Sequence, residues 1–240
     1  MKNQQLKIAT WNLDRPTFGT KSKNDLILKT LHQVDADVLI LTETNSCIDL
    51  GQNYNSYPST CLFQSLSVGT EQYQEGENRV TIWSKLPGQR RIDMCNSHSA
   101  VCAQITTDWG ELNIYGTVIG IYGKNRGKAE PILSQTDFER TLEVQLADWE
   151  RLAELKSPLC IAGDFNLSLV GSYYFTKQHR QKILDCLDKL KIAVPTKELP
   201  ENIDHIALSS VFFNPAGYKA ETWPKAKTDH KGVLLTIQKP

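Results

Sequence analysis

Short apolar runs recur along the chain, and several end in a carboxylate or a carboxamide. Ile8-Ala9-Thr10-Trp11 ends in Asn12, and Val38-Leu39-Ile40-Leu41-Thr42 ends in Glu43. Leu159-Cys160-Ile161-Ala162-Gly163 runs into Asp164-Phe165-Asn166, and Thr228-Asp229-His230 leads into Val233-Leu234-Leu235. A run of this length bounded by polar residues reads as a buried strand that delivers a polar group to its tip. Strand tips are rigid, so several of them together can hold a reacting group in fixed geometry.

The same pattern predicts strands over residues 7–13, 38–42, 79–84, 100–106, 112–119, 159–162, 203–208 and 232–237. Asp108-Trp109-Gly110 joins two of them as a hairpin. Three stretches carry helical spacing instead. Leu26, Ile27, Leu31 and Val34 follow Ser22-x-x-Asp25, which resembles a capping box. Leu142, Leu146, Trp149, Leu152 and Leu155 mark one face of a long helix, stopped by Pro158. Ile183, Leu184, Leu187 and Leu190 mark another. Residues 45–78 have little period and read as loops with one short strand. No linker divides the chain, so one domain over residues 1–240 is expected, with two packed sheets and helices outside.

Composition adds bounds rather than identity. With 240 residues the chain can bury a two-sheet core. Lys plus Arg equals Asp plus Glu, so the net charge is zero. Proteins that grip long nucleic acids by charge alone are more basic, although zero net charge permits a local basic patch. The six cysteines form no Cys-x-x-Cys pair, which argues against zinc. Cys102, Cys160 and Cys186 sit in apolar runs and read as buried thiols, which fits a reducing, cytoplasmic compartment. No signal peptide and no membrane span is visible.

The polar tips carry the chemistry. A carboxylate beside a carboxamide, as in Asp164 and Asn166, can orient a water and hold a phosphate oxygen, and Gly163 lets a substrate or a backbone approach. The competing reading is an ordinary strand-to-turn junction. Glu43, at the end of an apolar strand, needs a cation or several donors, unless it is simply solvated. Asn12 alone is as readily a turn residue. His230 suits proton transfer or contact with phosphate, and Asp204 could fix its tautomer if their strands are neighbours. His205 reads as an outward or core histidine, and His32, His98 and His179 as surface residues. Taken together, Asn12, Glu43, Asp164, Asn166, Asp204, Asp229 and His230 offer the oxygen-rich donor set that suits Mg²⁺ or Mn²⁺. Such an ion would assist phosphoryl hydrolysis.

In order and spacing these motifs resemble the endonuclease/exonuclease/phosphatase superfamily, across residues 7–236. The resemblance implies an α/β fold, a four-layered sandwich of two packed mixed β-sheets flanked by helices. It implies metal binding by Asn12, Glu43 and Asp229, a water-orienting Asp164, a phosphate-contacting Asn166, and a phosphate-facing His230 paired with Asp204. One feature departs from the family pattern. Many members carry a second His, or a Tyr, at the end of the strand before the long helix. Here residues 117–126 contain no His. Tyr122 and Asn125 are candidates for lining the phosphate site, with Thr117 or Val118 as the alternative register, and Arg126 is a candidate rim contact, like Arg79, Lys124 and Lys128. The activity this implies is Mg²⁺- or Mn²⁺-dependent phosphodiester hydrolysis with nucleic acid as the preferred substrate. Two rivals remain open: a phosphatase or phosphodiesterase acting on a small or lipid phosphoester, and a binding module that has lost catalysis.

Overall fold

A computed structural model describes residues 5–62, 73–120, 135–212 and 214–239. Along the chain run β1 (Gln5–Asn12), α1 (Lys21–Val34), β2 (Val38–Asn45), β3 (Asn55–Pro58), β4 (Glu77–Ser84), β5 (Gly88–Ile92), β6 (Ala100–Thr107) and β7 (Gly110–Val118). There follow α2 (Gln135–Ala153), β8 (Leu159–Asp164), α3 (Lys177–Lys189), β9 (Ile192–Ala193), β10 (Asp204–Ser209), β11 (Tyr218–Trp223) and β12 (Gly232–Gln238). The strands form two six-stranded sheets, ordered β11-β12-β1-β2-β4-β3 and β5-β6-β7-β8-β10-β9. In each sheet one parallel pair, β1–β2 or β7–β8, sits among antiparallel neighbours, so the two sheets repeat one pattern of strand directions.

Period-two alternation sorts side chains into layers. Ile8 of β1, Val38 and Ile40 of β2, Cys160 and Ala162 of β8, and Ile206 and Leu208 of β10 share one core between the sheets. The alternate positions face outward. Trp11, Leu39 and Leu41 pack against Ile27 and Leu31 of α1. Tyr115, Ile161 and Ala207 pack against Leu142, Trp149 and Leu152 of α2 and Ile183 and Leu187 of α3. Helix, sheet, sheet and helices thus make the expected four layers.

The expected strands and helices are present, with shifted ends and four corrections. The N-cap of α1 is Thr20, so Ser22-x-x-Asp25 is not its capping box. Leu155 lies beyond α2 and is exposed, because the helix ends at Ala153 ahead of Pro158. His179 is buried on α3 near Glu139, not at the surface. The short or edge strands β5, β9 and β11 lack the apolar runs that mark the central ones. Among the described residues no helix is long and apolar enough to cross a membrane.

Candidate active site

The site is the continuation of the core stripe past its apolar end. Two residues beyond Thr10 on β1 stands Asn12, two beyond Ala162 on β8 stands Asp164, and two before Ile206 on β10 stands Asp204. Alternation turns all three toward the space between the sheets. Asp164 and Asp204 are direct partners in the β8–β10 ladder. From the other sheet, Asn12 donates its amide to Asp164 Oδ2 at 3.0 Å. His230, in the loop that enters β12, donates from Nδ1 to Asp204 Oδ2 at 2.6 Å. Two polar contacts therefore cross between sheets at this rim.

Neighbouring backbone fixes each group. Asn166 adopts φ +51, so its backbone N–H donates to Asp164 Oδ1 at 2.8 Å and its side-chain amide donates to the Ile119 carbonyl at 2.8 Å. The strand-to-turn junction weighed for Asp164 and Asn166 is thus present, as a turn directly after β8. Gly163 at φ +137 lies against Thr117 of β7, so the close approach it permits is that of backbone rather than of substrate. Trp11, whose role the sequence did not reveal, donates Nε1–H to Thr228 Oγ1 at 3.1 Å and to the His230 carbonyl at 3.3 Å. The Thr228 hydroxyl donates to that same carbonyl at 2.9 Å. Asn202, also not foreseen, donates to the Asp204 carbonyl from two residues away.

Glu43 follows Thr42, the ladder partner of Asn12, and takes φ +45. A left-handed conformation costs a non-glycine residue about 1 kcal/mol, and such strain is concentrated at functional sites. The Glu43 carbonyl accepts from the Arg15 N–H at 3.0 Å, which holds this turn. Asp229 projects into solvent, with Oδ1 3.7 Å from His230 Nε2.

Burial, together with the neighbouring Asp204 charge, pushes the Asp164 carboxyl up to about 7. Burial also raises Asp204, against the pull of His230, and the charges of Glu43 and Asp229 add to the rise. Burial opposes charge on His230, but the hydrogen bond to Asp204 and the carboxylates of Asp204, Asp164 and Asp229 outweigh it and raise the imidazolium to about 10. His205 is a core residue. Burial depresses it to about 4, and its ring meets Phe165 edge-on at 5.4 Å.

The donor set fits a hard divalent ion. The charges of Glu43 and Asp229 act on Asp204, that of Asp204 acts on Asp164, and Asp164, Asp204 and Asp229 all act on the one imidazolium. The Asp204 Oδ1 atom is buried without a hydrogen-bond partner. Asp164, Asp204 and His230 bring possible ligand atoms within 4.8 Å of one another. A protonated His230 is a poor ligand, however, and its Nδ1 is committed to Asp204. Asn12, Glu43 and Asp229, with oxygen donors, are the better candidates.

Of the residues singled out in the sequence, Asn12, Asp164 and Asn166 form one hydrogen-bonded set and Asp204 and His230 another, and the two sets meet at the ladder pair Asp164–Asp204. Glu43 and Asp229 are close enough for their charges to act on Asp204. Val118 pairs with Asp164 across β7–β8 and Thr117 with Gly163, so neither places a proton donor there. Tyr122, Lys124, Asn125, Arg126 and Lys128 lie outside the described residues.

Two mixed sheets with acidic strand tips at a shared rim define a class of α/β sandwich hydrolases. The sequence profile of the Endonuclease/Exonuclease/phosphatase family matches residues 9–230, and the chain belongs to that family. Solved structures agree on the fold. The AP endonuclease LMAP from Leishmania major superposes with TM-score 0.72 at 14% identity, over 99% of this chain and 89% of that one. The 3'-5' exonuclease NExo from Neisseria meningitidis gives 0.68 at 14% identity, over 97% and 100%. The human Nocturnin catalytic domain gives 0.68 at 12% identity, over 100% and 96%. Among curated proteins no sequence matches.

Proposed function

We propose that this chain is a divalent-metal-dependent phosphodiester hydrolase acting on nucleic acid. The observation that carries the reading is the hydrogen-bonded set Asn12–Asp164 and Asp204–His230, built from both sheets at one rim. Asp164 is the group that orients the attacking water and takes its proton, since it is a carboxylate fixed at the rim whose burial makes it more basic than a solvated one. Asn12 and the Asn166 N–H hold that carboxylate in place. Asn166 contacts a phosphate oxygen, and the His230 imidazolium, oriented by Asp204, faces another and offsets the charge that develops there. Asn12, Glu43 and Asp229 are the residues that would hold Mg²⁺ or Mn²⁺. The ion would polarise the phosphoryl oxygen and stabilise the leaving oxygen. In the overall reaction the water oxygen bonds to phosphorus, the bond from phosphorus to the 3′-oxygen breaks, and that oxygen takes a proton from solvent.

Nucleic acid as the substrate draws support from the related structures. NExo from Neisseria is described as a 3' phosphatase bound to a product DNA hairpin. The test is turnover of single-stranded DNA, single-stranded RNA and a simple phosphodiester, with Mg²⁺, with Mn²⁺ and with a chelator. Oligonucleotide cleavage that the chelator abolishes is expected. Turnover of the simple ester alone would move the reading to a small-molecule phosphodiesterase. No turnover with either metal would leave a binding module.

A further inference from the structure

Glu43 stands on β2, which lies between β1 and β4 in its sheet, and these two neighbours are tied together across it. Past the end of β1 the chain stays beside β2. The Leu13 N–H donates to the Thr42 carbonyl at 2.9 Å, and the Arg15 N–H donates to the Glu43 carbonyl at 3.0 Å. On the far side Glu77 opens β4 as the ladder partner of Asn45, two residues past Glu43. The Arg15 guanidinium reaches that residue, with Nε donating to Glu77 Oε1 at 2.7 Å and Nη2 to Oε2 at 3.3 Å. A two-pronged ion pair therefore crosses β2 over the segment 43–45.

The pair is built into its surroundings. Glu77 is buried and Arg15 half-buried, and a buried carboxylate needs both a cation and further donors. The further donor is the Gln74 N–H, 2.9 Å from Glu77 Oε2, while the Glu77 N–H donates back to the Gln74 carbonyl at 3.1 Å. The turn so closed also grips β2. The Asn45 amide donates to the Glu75 carbonyl at 2.8 Å, and the Ser46 N–H donates to the Gly76 carbonyl at 2.9 Å. The guanidinium groups of Arg15 and Arg79 each lie 5.8 Å from the centre of the Tyr73 ring, which limits the rotamers open to Arg15. The left-handed backbone of Glu43 is thus held from both sides, as a strained residue must be.

We propose that the Arg15–Glu77 pair is a strap that fixes Glu43 relative to Asn12 and thereby sets the affinity of the rim for a divalent ion. The inference rests on the metal-dependent reading of the site and adds two positioning residues that are not themselves ligands. Arg15 acts on both oxygen donors. Its own N–H holds the Glu43 turn, and the adjoining Asp14 N–H donates to Asn12 Oδ1 at 2.9 Å. Losing a group that orients a ligand from behind lowers metal affinity roughly 10–100-fold. Lysine cannot replace the strap fully, because it keeps the charge but not the fork.

The test titrates Mg²⁺ into the protein by calorimetry, without substrate, for wild type, Arg15→Lys, Arg15→Met and Glu77→Gln. Melting temperatures are measured in parallel in EDTA. Glu77→Gln and Arg15→Met should each weaken Mg²⁺ binding roughly ten-fold or more, with Arg15→Lys between them and wild type. Arg15→Met discriminates most sharply. It removes a positive charge, so an influence through charge alone would tighten Mg²⁺ binding, whereas a lost strap weakens it. Glu77→Gln covers the case in which Arg15→Met does not fold, since the arginine it leaves is half-exposed and can be solvated. Unchanged Mg²⁺ affinity in the folded variants, or tighter binding by Arg15→Met, overturns the proposal. Unchanged affinity with a raised KM for an oligonucleotide also overturns it and makes Arg15 a phosphate contact. If the variants bind Mg²⁺ as wild type does, this inference falls alone. If wild type binds neither Mg²⁺ nor Mn²⁺, the metal-dependent reading falls and takes the inference with it.

Discussion

Asp164 and His205 show how burial gives two adjoining titratable groups opposite roles. Asp164 is buried too, but it faces the space between the sheets and keeps two donors, from Asn12 and from the Asn166 backbone, with its carboxyl raised to about 7. Asp164→Asn preserves shape and removes the proton acceptor. The rate should drop roughly 10²–10⁴-fold with substrate affinity retained, the range for losing a positioned acid–base group. A loss confined to affinity, in steady-state kinetics, would make Asp164 a binding residue. His205 is enclosed instead. Its neutral ring donates from Nε2 to the Leu167 carbonyl at 3.2 Å, with Nδ1 left to accept from Asn202 at 3.4 Å. Burial lowers its folded value from 6.5 to about 4, so below pH 6.5 the unfolded chain binds more protons than the folded one. This contribution is complete above pH 6.5 and is lost as pH falls toward 4, amounting to about 3 kcal/mol. Urea unfolding of wild type and His205→Gln should therefore converge by that amount between pH 7 and pH 4. Parallel pH curves would show that the ring becomes protonated without leaving the core.

At the scale of elements, the junction of β7 and β8 decides where the site can form. Gly163 at φ +137 lets the β7 backbone at Thr117 lie where a side chain would otherwise stand, and this sets the position of Asp164 one residue later. Gly163→Ala should cost about 2–4 kcal/mol, because it combines backbone strain with a clash against main chain that cannot step aside. Gly110, at φ +124 in the β6–β7 hairpin, has open space around it, so Gly110→Ala carries the strain alone and should cost about 1 kcal/mol. Equal losses in chemical denaturation would mean that β7 relaxes away from residue 163. The central strands were legible because their apolar runs are continuous, as in 159–162, and each run points to the polar residue at its tip. The edge strand β11, Tyr-Lys-Ala-Glu-Thr-Trp over residues 218–223, was not, because its side chains are exposed or half-buried and no apolar run marks it. The turn at Asn166 was one of two readings that the sequence left open, for a related reason. Its left-handed backbone is imposed by the Ile119 carbonyl and Asp164 Oδ1, contacts that local sequence does not encode.

At the scale of the whole molecule, the site exists only where the two sheets meet. Asn12 and His230 belong to one sheet and its loops, Asp164 and Asp204 to the other, and each carboxylate is held by a partner from across the core. The sequence could supply the inventory of tips, since alternation extends each core stripe to its polar end. The residues alone could not settle the pairing, which depends on strand order and register; the family resemblance is what put His230 with Asp204. The contact between His230 and Asp204 arises because the loop into β12 closes over the start of β10, 26 residues earlier in the chain. Trp11 and Thr228 hold that loop through the His230 carbonyl, so the imidazole has one well-defined partner. His230 and Asp204 should then act as one unit. His230→Ala removes the group that faces phosphate, and Asp204→Asn leaves an imidazole that is misoriented and more readily neutral. Each should lower kcat/KM severely, while His230→Ala combined with Asp204→Asn should lose little more than His230→Ala alone. Melting temperatures of the three variants, measured in parallel, separate lost chemistry from a loosened contact between the sheets. Losses that add on a logarithmic scale would show that the two residues work independently. Asp204 would then be a strut of β10, and the charge on His230 would have to be maintained by Asp164 and Asp229.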